Sequence, residues 1–161
     1  MENNPKYAVL HHTGDAQKSA QFDKVNEWHK FKEFPKSSLG YFCGYHYFIE
    51  RNGTLISARL LSDEGAHTKG RNLESIGIGL AGNFDFENPS EAQLDALNLL
   101  LDNLAARYKL PQFDVFYHHK FSDTHCPGAF FLGKEWPLFI IGHKINLLQR
   151  LIKWISNLLR K

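Results

Sequence analysis

The sequence predicts an α/β fold: a single domain with a central mixed β-sheet flanked by helices, and a basic amphipathic helix at the C-terminus. Three observations predict it. Short apolar runs at 7–12 (YAVLHH), 75–82 (SIGIGLAG) and 113–119 (FDVFYHH) have the length of strands. Between the first two lies a hairpin pattern, GYHYFIERNGTLISARL, with Asn52-Gly53 at its turn. Two stretches of helical periodicity separate these runs, and short strands alternating with helices make layered sheet-and-helix domains.

In chain order, the first strand ends in His11 and His12 and is left through Thr13 and Gly14. Asp15 is placed to cap a helix in which Phe22, Val25 and His29 recur on one side, with Trp28 beside them in a buried aromatic face. The segment 32–40, with Pro35 and two serines, reads as loop. The hairpin's first strand runs from about Tyr45 to Glu50, and its return strand starts at Thr54. His46 alternates to the face opposite Tyr45 and reads as structural. A polar stretch with Gly65, His67 and Gly70 leads to SIGIGLAG, whose unbroken apolar character suits a strand buried on both faces. Ser90 and Gln93 then have capping-box spacing, opening a helix with Leu94, Leu97, Leu101, Leu104 and Tyr108 on one side. The run at 113–119 repeats the opening pattern of a strand entering paired histidines, so the two strand ends can lie side by side.

At 161 residues, with 43% hydrophobic and 22% charged, the chain has the length and composition to bury one core, which argues against disorder. The formal charge of +2 is unevenly placed. Lys144, Arg150, Lys153, Arg160 and Lys161 are five basic residues in a segment with no acidic one, so the rest of the chain is net acidic. That pattern speaks against a nucleic-acid partner and marks a separate tail. Within it Ile145, Leu148, Leu151, Ile152, Ile155, Leu158 and Leu159 follow helical spacing. Such a helix either packs on the domain or lies against an anionic membrane through Ile145 to Lys161. The expected division is therefore a main domain over 1–133 and an extension over 134–161, in a monomer. No apolar run reaches the ~20 residues of a membrane span. The start, MENNPKYAVLHH, lacks an apolar signal region, so the expected location is the cytoplasm of the producing cell.

The chemistry-bearing residues concentrate at strand ends, where α/β proteins place their sites. Nine histidines include the pairs His11-His12 and His118-His119, and the second pair precedes Cys126 in HHKFSDTHCPG. Imidazole nitrogen and thiolate sulfur both suit zinc, and three protein ligands leave a fourth position for water. Spacing leaves open which histidine of each pair is used, and a set of solvated or core histidines fits it equally. It also permits a disulfide between Cys43 and Cys126, although in a cytoplasmic protein a thiol or metal role is the expected use, and Cys43 reads as a small buried thiol.

Taken together, VLHHTG, GYHYFIERNGT, GAHTKGRNLESIGIGLAGNF and HHKFSDTHCPG resemble the N-acetylmuramoyl-L-alanine amidase family of phage endolysins and animal peptidoglycan recognition proteins. The resemblance runs from Tyr7 to about Phe131, with its blocks in the family's order. It implies a zinc hydrolase that cuts the amide between N-acetylmuramic acid and L-alanine in peptidoglycan, as an endolysin reaching the cell wall after release. The alternative it implies is a recognition module that binds peptidoglycan without cutting it. By the family's pattern the zinc ligands are His11, His118 and Cys126, the catalytic tyrosine is Tyr45, and His67 and Asn72 border the substrate. Thr124 stands where many phage enzymes carry lysine, as it does in the catalytic recognition proteins, and its hydroxyl would donate to the developing oxyanion. The proton for the leaving amine then falls to His125, His119 or the attacking water.

Overall fold

The computed structural model describes residues 3–109 and 114–131. The C-terminal helix, the boundary at 133/134 and the membrane-facing segment expected from the sequence lie outside them. Among the described residues no helix is long and apolar enough to cross a membrane. The elements are β1 (Tyr7–His12), α1 (Phe22–Phe31), β2 (Tyr47–Ile49), β3 (Leu55–Ser57), β4 (Ser75–Leu80), α2 (Glu91–Arg107), β5 (Val115–Tyr117) and a 3-10 turn (His118–Lys120). The strands form one sheet in the order β3-β2-β4-β1-β5. β1 runs parallel to β4 and β5, β2 runs parallel to β4, and β2 with β3 is the antiparallel hairpin. This is the mixed sheet that the sequence predicts.

Side-chain alternation splits the sheet into two unlike faces. On one, Ile76, Ile78 and Leu80 of β4 cluster with Ala8 and Leu10 of β1, Ile49 of β2, and Leu97, Leu101 and Leu104 of α2. On the other, Phe48 packs with Phe22 of α1, Cys43 and Ala58. Toward the second face β4 turns Ser75, Gly77 and Gly79, two of the three without a side chain. A Cβ at Gly77 would lie 2.5 Å from the ring of His67, and one at Gly79 would lie 2.5 Å from the ring of Tyr45. The strand is therefore greasy toward α2 and bare on its other side, where two rings occupy the space its side chains would fill.

The helix starts show how the layers are tied. Ser90 and Gln93 form the expected capping box on α2. Buried Gln93 also donates from Nε2 to the carbonyl of Ala81 just past β4, 2.8 Å away. α1 departs from expectation: it begins at Phe22, and Asp15 does not cap it. Asp15 instead accepts from the backbone N–H of Gln17 in a local turn, while the buried carboxylate of Glu50, just past β2, accepts from the N–H groups of Gln21 (2.9 and 3.0 Å) and Phe22 (2.8 Å). A carboxylate from another element thus takes the place of a local cap, and it also suits the positive end of the helix dipole. Trp28 departs too. His29 is buried, but Trp28 is 54% exposed and stacks on Phe31 in solvent, because successive helix positions turn by about 100° and only the His29 side faces the sheet.

Two substitutions separate these caps. Ser90→Ala should cost about 1 kcal/mol in denaturant unfolding. Glu50→Ala, which strands buried N–H groups that were bonded to a charge, should cost more, about 2–3 kcal/mol.

Candidate functional site

The site grows from the register of β1. Its pairing with β5 sets Leu10 opposite Tyr117, so the next residues, His11 and His118, fall side by side with ring centroids 4.4 Å apart. Cys126 is brought to them by backbone and side-chain ties. The N–H of His119 donates to its carbonyl at 3.0 Å, and its own N–H donates to Thr124 Oγ1 at 3.2 Å. The N–H of His12 lies 3.4 Å from Cys126 Sγ, as a donor to sulfur. The donor atoms of His11, His118 and Cys126 all lie within 4.8 Å of one another, and His11 Nδ1 is 3.8 Å from Cys126 Sγ. Tetrahedral zinc with bonds of about 2.0 Å to nitrogen and about 2.3 Å to sulfur would hold such a pair about 3.5 Å apart, so the donor set fits that ion after a small contraction. The other histidine of each pair turns elsewhere: His12 Nδ1 accepts from the N–H of Phe84 at 3.2 Å, and the ring of His119 packs on Tyr117.

Burial sets the electrostatics. It holds His11 and His118 below the ordinary imidazole range, keeping a lone pair for a metal, and it pushes the Cys126 thiol up to about 12. A cation seated among the three would favour the thiolate that burial opposes.

Tyr45 stands beside this cluster, its ring 5.1 Å from that of His11 and laid over Gly79. Burial raises the pKa of its hydroxyl far above neutrality, so the group is a proton donor at neutral pH. His29 of α1 backs it: the His29 ring is 5.4 Å from Tyr45, stacks on Phe34, and accepts the N–H of Gly44 on Nδ1 at 3.0 Å. Gly44 is required where it stands, since a Cβ there would lie 2.2 Å from the carbonyl oxygen of Ala66. Arg59, itself buried, donates to the carbonyls of Pro35, Cys43 and Glu64, fastening the chain on both sides of the site.

The remaining sequence candidates sit around this centre. His67 lies over Gly77, its Nδ1 3.1 Å from His11 Nε2 and 3.0 Å from Thr68 Oγ1. Asn72 Oδ1 accepts from the N–H groups of His67 (3.0 Å) and Thr68 (2.9 Å), shaping the loop that carries them. His46 is fully buried, with Nδ1 accepting from the N–H of Gly77, in keeping with a structural role. Cys43 is buried and, like Cys126, a free thiol. Sequence reasoning passed over Thr68, Ser75, Arg59, and Gly77 and Gly79; the alternate glycines of SIGIGL are the one signal among these that could have been read.

The model of the N-acetylmuramoyl-L-alanine amidase family matches residues 1–129. Peptidoglycan-recognition protein SC2 of Drosophila melanogaster is 29% identical over 131 residues, 80% of this chain and 71% of that protein. The endolysin of Enterobacteria phage K11 is 32% identical over 110 residues, 65% of this chain and 68% of that protein. Among solved structures, the N-acetylmuramoyl-L-alanine amidase LysC from Clostridium intestinale URNW superposes with a TM-score of 0.70 at 31% identity, covering 89% of this chain and 87% of that one.

Two measurements test the packing around the site. Gly79→Ala should destabilise the fold by about 1–3 kcal/mol through overpacking and displace the Tyr45 ring, visible in near-ultraviolet circular dichroism. Burial lowers both His29 and His46 to about 4. Their unfolded forms take up a proton near 6.5, so the folded chain keeps this stability above that pH and loses it as pH falls toward 4. Urea unfolding of chelator-treated protein should show each contributing a slope of up to about 1.4 kcal/mol per pH unit in that window, and His46→Gln should flatten the profile.

Proposed function

The chain belongs to the N-acetylmuramoyl-L-alanine amidase family, and from that premise we propose how it cuts peptidoglycan: His11, His118 and Cys126 hold zinc, and Tyr45 donates to the carbonyl oxygen of the scissile amide. The observation that carries this reading is the meeting of two imidazoles, that of His11 buried and that of His118 half-buried, and a thiol beside Tyr45, on a bare stretch of sheet. Zinc, when bound, supplies Lewis acidity that acidifies water toward a pKa of about 7 and polarises a carbonyl.

The chain's own residues do the rest. As charge develops on the amide oxygen, Tyr45 offers a hydrogen to it from a ring already held in place over Gly79. Thr124 Oγ1 already accepts from the N–H of Cys126, so it holds the loop that carries this ligand while its own hydrogen stays available to the oxyanion. Asn72 uses its carbonyl oxygen within the loop, and its NH2 group is what it offers the stem peptide. His67 lines the same wall. The bond cut is that between N-acetylmuramic acid and L-alanine, the setting is a bacterial wall reached after release, and the acting species is a monomeric endolysin.

The alternative, a module that binds peptidoglycan without cutting, makes a different prediction for one experiment. Purified peptidoglycan is incubated with the protein, with the protein plus a chelator, and with Cys126→Ala, and the products are weighed by mass spectrometry. The enzyme reading expects free stem peptides with an L-alanine amino terminus, reduced to background in the second and third samples. Intact glycan-linked peptide in all three, despite one zinc bound per chain, would favour the binding module.

A further inference from the structure

The geometry points to His67 as a positioning residue for the metal ligand His11, reached through a directional chain of hydrogen bonds that fixes the tautomer of both rings. This inference rests on the zinc reading above and assigns His67 a role other than touching substrate. The chain is read from its outer end. Ser75 Oγ donates its hydrogen to the carbonyl of Arg71 at 2.7 Å, so toward His67 Nε2, 3.5 Å away, it can act only as an acceptor. His67 Nε2 therefore carries the proton, and His67 Nδ1 is left as an acceptor. Around Nδ1, His11 Nε2 lies 3.1 Å away, and Thr68 Oγ1 lies 3.0 Å from it and 3.4 Å from His11 Nε2. The hydrogen on His11 Nε2 is thus donated toward His67 Nδ1, to which the Thr68 hydroxyl also donates, and the lone pair of His11 is confined to Nδ1, the atom that faces Cys126 Sγ at 3.8 Å.

Packing keeps the chain in place. Two glycines lie against the His67 ring, and a Cβ at either Gly65 or Gly77 would come to 2.5 Å from it. Asn72 fixes the backbone on which the ring sits by accepting from the N–H groups of His67 and Thr68. A ligand histidine whose second nitrogen is held this way is locked in both orientation and tautomer, and losing such a partner typically lowers metal affinity by about 10–100-fold.

The test uses the full chain and zinc itself, in competition with a chromophoric chelator. His67→Phe keeps the ring's shape but removes both nitrogens, and is expected to weaken zinc binding about 10–100-fold. His67→Asn, whose side-chain oxygen can stand near the Nδ1 position, should restore most of that loss. Independently, long-range nitrogen–proton spectra of the unsubstituted protein labelled at histidine should show both His11 and His67 protonated on Nε2. Zinc bound equally by the unsubstituted protein and by His67→Phe, or His67 found protonated on Nδ1, would overturn the positioning role alone. An unsubstituted protein that binds no zinc would overturn the metal-centre reading, and this role with it.

Discussion

The site depends on one constraint, the register of β1 between its two parallel neighbours. With Leu10 held opposite Tyr117 and His11 opposite Gly79, His11 points to the bare face of the sheet and meets both His118 and the Tyr45 ring. A slip of one residue would carry His11 into the apolar layer under α2 and bring His12 out in its place. The apolar cluster between sheet and α2 opposes that slip, because Ala8 and Leu10 alternate with His11 and belong to that cluster in the observed pairing. The core on one side of the sheet thereby aims the chemistry on the other.

The same pairing makes an electrostatic environment that suits a cation. His11 and His118 are kept neutral by burial, and the thiol of Cys126 is raised by it, so the cluster holds donors without fixed charge. The nearest organising contacts to the sulfur and to the far nitrogen of His11 are a backbone N–H from His12 and the His67–Thr68 pair. These are dipolar groups, which orient ligands without supplying a competing ion.

Much of this was legible in the sequence, because the strongest signals were local. SIGIGL, Asn52-Gly53 and the Ser90–Gln93 box each specify their element within a few residues, and each is found as expected. The choice of His11 over His12 and of His118 over His119 came from the family pattern, and the structure groups the same two with Cys126. What could not be read was non-local. The start of α1 is set by a carboxylate about thirty residues further on, and Trp28 and His29 differ in burial because of how the helix meets the sheet. The chain from His11 through His67 to Ser75 joins three segments whose spacing carries no motif.

The Glu50 cap bears on the order in which the molecule assembles. α1 has ten residues, and an isolated helix of that length is not stable in water. Its first N–H groups find their acceptor only when the hairpin is in place, since Glu50 sits where β2 gives way to the turn. The helix should therefore condense onto an already paired sheet rather than nucleate early, placing the His29 wall among the later parts of the site to form during folding.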